Sequence, residues 1–190
     1  MTTLAAVPSP AADSTAQTLA AWQAREAHLR VAMRTRGLAK PEDLVGRTGL
    51  QFFEAMLRGE IPYPPISETL DFLVVEAALG RVEFQGKPLF AHYNPLGSVH
   101  GGWIATLLDS AVACAVHSTL PIGKVYTTVE LKVNYVKALT DRVPLVRAIG
   151  QIINVGGRIG TSEGRLVGPD GTLYAHATTT CLIYDPAPPK

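Results

Sequence analysis

The chain is poor in the residues that would place it in several large classes. It has two cysteines among 190 residues, Cys114 and Cys181. Two thiols make neither a disulfide framework nor a zinc set, so the expectation is a pair of buried free thiols in a reducing cytoplasm. No apolar run approaches the roughly 18 residues of a membrane span. No basic residue precedes Arg25, so no secretory signal is expected. Charge is scarce and balanced, with 17 basic against 16 acidic side chains and a net charge of +1. That balance offers no general attraction to nucleic acid or to an anionic membrane surface. No G-x-S-x-G elbow occurs, and His92, His100, His117 and His176 lack the spacing of a metal set.

What the chain does have is apolar residues, 47% of the total, enough for one sizeable core with an extension. Residues 1–13 (MTTLAAVPSPAAD) are rich in Ala, Pro and Ser and read as a disordered tail. A helix follows, capped by Ser14 or Thr15, carrying Leu19, Trp22, Leu29 and Met33 and ending by Gly37. A shorter helix fits 49–58, and the prolines of IPYPPI (61–66) break any continuation. Residues 14–66 thus form a helical extension, expected to pack on the main domain through Trp22, Leu29, Phe52 and Phe53. Arg30, Arg34, Arg36 and Lys40 make it locally basic, either a solvated face or a surface that recruits a partner.

From 67 to 185 the pattern is mostly β. Strands are expected at 70–84 and 87–93 about a Gln85-Gly86 turn, then at 124–137, 142–155, 158–167 and 172–184. Pro169-Asp170-Gly171 marks a turn between the last two. Between the two groups, 101–118 reads as a helix apolar on nearly every face, which belongs inside. The fold class is therefore α+β, an antiparallel sheet wrapped around one long central helix.

The stretch NPLGSVHGGWIATLLDSA (94–111) concentrates the chemistry. Gly101 and Gly102 open the helix without a Cβ, where free N–H groups carry partial positive charge. They either allow a tight turn or bind an oxyanion or polarised carbonyl. Asp109 sits among Leu107, Leu108, Ala111 and Val112, with alanines at i−4 and i+4 and so no salt bridge along the helix. Either Ser110 or a neighbouring strand satisfies it, or it is a nucleophile or general base in a dry cleft. His100 either holds the loop or takes part in the site, and Asn94 before Pro95 reads first as a turn residue. Cys114 lies on another helix face and reads as core.

Together, Asn94, the His-Gly-Gly of 100–102 and Asp109 resemble the hotdog-fold acyl-CoA thioesterases of the PaaI-like group. TTVELKVNY (127–135) and GGRIGTSEGRLVGPDGTLYAHATTTCL (156–182) fit the same resemblance, which covers about residues 70–184 and leaves the extension outside. It implies hydrolysis of an acyl-CoA thioester, with coenzyme A as part of the substrate and no other cofactor. It implies that Gly101 or Gly102 polarises the carbonyl while Asp109 is nucleophile or activates water, with Asn94 and His100 orienting carbonyl or water. Some relatives carry a hydroxyl residue, often Ser, about where Thr128 stands; Thr127 beside it would face the other way. Arg158 is the expected contact to the nucleotide, with Lys132, Lys137, Arg147 and Arg165 as alternatives. Trp103, Phe90 and Tyr93 could line an aryl or medium-chain acyl pocket or belong to the core.

Gly101 and Asp109 stand eight residues apart, about 12 Å along a helix, too far for one carbonyl to meet both. A site shared across a two-fold homodimer, commonly paired again into a tetramer, is what the resemblance implies. Two other readings stay open: a hotdog dehydratase or hydratase, and a non-catalytic acyl-CoA binder that kept the fold.

Overall fold

The computed structural model describes residues 10–33 and 35–186. Four helices come first, α1 (Pro10–Ala32), α2 (Pro41–Val45), α3 (Gly49–Leu57) and α4 (Pro65–Thr69). A hairpin of β1 (Phe72–Ala78) and β2 (Arg81–Gly86) follows, then the long helix α5 (Gly101–His117). The chain closes with β3 (Val125–Tyr135), β4 (Val146–Val155), β5 (Ile159–Val167) and β6 (Leu173–Tyr184). The six strands form one antiparallel sheet in the order β1-β2-β4-β5-β6-β3. It wraps α5, whose Leu107, Leu108, Ala111, Val112, Ala115 and Val116 are fully buried. At Gly150 of β4 a Cβ would stand 2.1 Å from the Ala111 carbonyl oxygen, so glycine there is what lets helix and sheet meet.

The hairpin differs from the sequence expectation. The turn falls at Leu79-Gly80, with Gly80 at φ +75°, and Gly86 is a strand residue facing Trp103 and Leu107. Residues 87–93 form no strand; a 3₁₀ turn occupies Phe90–His92. Two glycines were available to turn the chain, and the one at 86 is needed for packing under the helix. The turn at 169–171 forms as expected, with Gly171 at φ +78° and Asp170 accepting from the Thr172 amide.

The first helix begins at Pro10 and ends at Ala32, so 10–13 are helical rather than disordered; residues 1–9 lie outside the described residues. The IPYPPI stretch also starts a helix, because Pro65 at the first position of α4 needs no N–H partner. The extension clasps the β1 edge from both sides. On the outer face, Leu29 of α1 is buried and the Arg25 Nε donates to the Val75 carbonyl. Beneath α1, Arg147 pairs with Glu83 at 3.0 Å, donates to Gln85 at 3.0 Å and lies 4.6 Å from the centre of the Trp22 ring. On the inner side, α3 is capped by Thr48 and Gln51 in a reciprocal capping box and buries Phe52, Phe53 and Met56. No described helix is long and apolar enough to cross a membrane.

Candidate active site

The opening of α5 is built from its own sequence. His100 is the N-cap, and its Nδ1 accepts from the Gly102 amide at 2.8 Å. One of the free N–H groups of the first turn is thereby taken, and it is Gly102's. The Gly101 amide has no acceptor among the described residues. Its residue lines a cleft of about 330 Å³ shared with Asn94, Ser98, Ile104, Tyr135 and Lys137. The Tyr135 hydroxyl donates to the Gly101 carbonyl at 2.9 Å.

Asn94 is spent on its own turn. Its Oδ1 accepts from the Leu96 and Ser98 amides, and its Nδ2 donates to the Ser98 hydroxyl. It shapes the wall of the cleft and orients nothing through those bonds. His100 likewise acts here as a cap with an exposed edge.

Two turns along the helix, Asp109 is half-buried. The Thr128 hydroxyl donates to its Oδ1 at 3.1 Å, while Thr127 points outward. Of the two adjacent threonines, Thr128 is the one at the site. Burial raises the Asp109 carboxyl above its ordinary value of 3.8, and the Thr128 hydrogen bond pulls it back. Among the described residues the carboxylate thus has one hydroxyl and no cation to hold it, which leaves it basic.

These pairs lie on one seam. Gly101 meets Tyr135, Asp109 meets Thr128, and Cys114 meets the Tyr126 hydroxyl at 3.7 Å. The strand β3 therefore runs antiparallel to α5 along the side of the helix that the sheet leaves half-open. Gly101 opens this seam, Asp109 stands about 12 Å along it by helical rise, and Cys114 lies beyond. The helix is buried on nearly every face, and the exception runs along this seam, where Gly101, Thr106, Asp109 and Ser110 are partly exposed.

Other expected residues fall elsewhere. Trp103 is 4% exposed, donates to the Leu70 carbonyl at 2.8 Å and stacks on His92, so it is core and lines no pocket for an acyl group. Phe90 is exposed, and Tyr93 is bonded to Asp141. Arg158 is exposed at the tip of the β4-β5 hairpin, near the end of α5 away from Gly101. Arg147 is locked beneath α1, and Lys132 and Arg165 are exposed on strands. Of these candidate cations, Lys137 alone lines the Gly101 cleft. No three His, Cys, Asp or Glu converge as a metal site among the described residues.

What the sequence pattern did not single out is His117. It is buried in a box with Phe52 at 5.2 Å, Phe53 at 5.1 Å and Tyr126 at 5.0 Å. Only its place three residues after Cys114, on the same helix face, could have hinted at it.

A long helix opened by glycines and wrapped by an antiparallel sheet defines a hotdog-fold protein. Residues 96–175 match the model of the thioesterase superfamily. Over 104 residues, 54% of this chain and 66% of the other, the sequence is 37% identical to a provisionally named esterase of Halobacterium salinarum. The chain thus spans about two thirds of that relative's length. Among solved structures, it resembles a provisionally named thioesterase, a phenylacetic acid degradation-related protein of Ralstonia eutropha. That match is 31% identical with a TM-score of 0.62, covering 68% of this chain and 98% of that one. A mutant of the phenylacetic acid degradation protein PaaI from Thermus thermophilus is 27% identical, with a TM-score of 0.56 over 62% of this chain and 97% of that one. The chain belongs to the thioesterase superfamily.

Proposed function

We propose that the protein hydrolyses acyl-CoA thioesters at a site completed by a second copy of the chain. The Gly101 amide, left free by the His100 cap, polarises the thioester carbonyl. Asp109 attacks the carbonyl carbon or takes a proton from the attacking water, and Thr128 holds its carboxylate. The oxygen of water joins the acyl carbon, the carbon–sulfur bond breaks, and the thiolate leaves with a proton. A thioester carbonyl is electrophilic enough for one dipole and one carboxylate. Gly102 supports the site as the cap's donor, and Lys137 is the cation placed to meet the carrier's phosphates near Gly101. Arg158 reaches a carrier only where it runs past Asp109 along the seam.

The observation that carries this reading is the seam: Gly101 at its start and Asp109 two turns along, beside β3, which pairs with β6 on one side only. A two-fold axis midway between Gly101 and Asp109 would set one copy's Asp109 beside the other's Gly101. Exposed Val129 and Val136 on and beside that edge supply apolar area for the contact. The dimer, and its pairing into a tetramer, belong to the same proposal.

Free-thiol release from a panel of aryl- and alkyl-CoA thioesters tests the activity. Asp109→Asn should lower kcat at least about 10²-fold while the protein stays folded; near-normal turnover would sink the assignment. Subunit mixing tests the shared site. Inactive Gly101→Pro, which keeps the helix start but has no N–H to polarise the carbonyl, and inactive Asp109→Asn, unfolded and refolded together, should regain roughly a quarter of wild-type activity. Half the dimers are then mixed, and each has one intact site of two. No recovery in demonstrated mixed dimers rejects sharing.

A further inference from the structure

Between the extension and the hotdog domain lies an apolar cavity of about 270 Å³. Met33, Phe52 and Met56 of the extension roof it, and Cys114, His117 and Tyr126 floor it. Its floor continues the seam of the candidate active site. Tyr126 and Thr128 are alternate residues of β3 on one face, about 7 Å apart, and Thr128 holds Asp109. The cavity therefore begins one strand step from the carboxylate.

The cavity is lined mostly by apolar side chains; Tyr63, Ser67 and Tyr126 bring hydroxyls, and His117 is its one basic group. His117 is 8% exposed, and its imidazole has no hydrogen bond among the described residues. Three aromatic rings surround it, and its ring also lines the cavity. No buried side-chain nitrogen or oxygen lacks a partner among the described residues, so the His117 ring nitrogens keep some access, and the cavity its ring lines is the direction from which a partner can come. The groups on the floor are uncharged: burial lowers His117 to about 4 and raises the Cys114 thiol to about 12.

Two lengths agree. His117 follows Asp109 by eight residues, about 12 Å, which an extended carbon chain at about 1.2 Å per bond covers in roughly ten bonds. A cavity of about 150 Å³ holds benzene, so 270 Å³ suits a group of roughly eight to ten carbons.

Resting on the thioester reading, we propose that this cavity is the acyl chamber. It takes an acyl group of about eight to ten carbons, apolar along its length and bearing at its far end a hydroxyl or carbonyl oxygen that bonds His117. The extension is then a specificity element, since half the chamber is made from it.

Ethyl-, octyl- and 8-hydroxyoctyl-CoA thioethers carry no cleavable bond, so calorimetric titration reads the chamber apart from turnover. Octyl-CoA should bind at least about 30-fold tighter than ethyl-CoA. Met56→Trp, or Leu44→Trp at the rim if the first does not fold, should shrink that ratio below about 3-fold. The 8-hydroxyoctyl thioether should bind within about 3-fold of octyl in the wild type and at least about 10-fold weaker in His117→Phe. Equal affinity for ethyl and octyl, a ratio that neither tryptophan changes, or one hydroxyl penalty common to both proteins overturns the chamber. Failure of all three thioethers to bind would instead reject the acyl-CoA reading itself, and the chamber with it.

Discussion

The Thr128 hydroxyl donates to Asp109 Oδ1 at 3.1 Å, strand to helix, and is the only side-chain hydrogen bond that carboxylate has among the described residues. Burial raises the Asp109 carboxyl and Thr128 lowers it. A carboxylate that attacks or accepts a proton works ionised, so kcat/KM should fall as pH drops through its titration. Thr128→Val removes the restraint, and the acid limb of the kcat/KM profile should move to higher pH. An unmoved limb would separate Thr128 from the carboxylate's chemistry.

The same group bears on stability. A carboxyl whose folded-state pKa is raised binds its proton longer in the native state, so its ionisation costs stability above that value. Asp109→Asn should therefore raise Tm at pH 7, and the gain should vanish below pH 3.8, where both proteins are neutral at this position. Thermal melts at the two pH values check it.

His117 acts with the opposite sign. Burial takes it from its ordinary 6.5 to about 4, so the unfolded chain binds its proton first as pH falls. The stability it confers is complete above pH 6.5 and drains away between 6.5 and about 4. At about 1.4 kcal/mol per unit, the loss is about 3 kcal/mol. Urea unfolding at stepped pH should show that slope in the wild type and a flatter one in His117→Phe.

Arg147 is 7% exposed and paired with an equally buried Glu83. Arg147→Ala leaves Glu83 with Arg81 as its remaining cation and takes the guanidinium from Gln85 and Trp22, at a cost of about 1.5–3 kcal/mol. Replacing both, as Arg147→Met with Glu83→Leu, should recover most of it. Denaturation midpoints of the single and double variants give the comparison.

Two glycines should part stability from activity. At Gly150 a new Cβ meets backbone at 2.1 Å, which no rotamer can relieve, so Gly150→Ala should cost about 3 kcal/mol. At Gly101 the nearest atoms belong to the Tyr135 ring, 2.9 Å away on a side chain 56% exposed. Gly101→Ala should melt near the wild type yet turn over more slowly, as the displaced ring enters the cleft. Paired melts and thiol-release assays settle both.

The large elements were legible because their signals are local. The apolar run of 101–118 and the Pro-Asp-Gly turn carry their own chemistry and lie where expected. The first hairpin was not, because Gly80 and Gly86 offer equal freedom to turn and only packing against Trp103 and Leu107 decides between them. Arg147 reads as one more strand cation until α1 is laid over it. Asp109 was conspicuous as a charge in an apolar run, but the sequence left Thr127 and Thr128 open, and only the fold shows that Thr128 bonds Asp109. His117 was missed because its surroundings come from an extension some sixty residues upstream.

A sheet can grow wherever an edge strand shows unpaired amides, and this one has been left a single place to grow. The clasp over β1 fills one margin, with the Arg25 guanidinium on the Val75 carbonyl, and leaves β3 open. Two copies that join at β3 have consumed both available margins, so growth of the sheet stops at the pair. Unfastening the clasp would restore a second margin to each copy and convert a self-terminating unit into one able to add end on end.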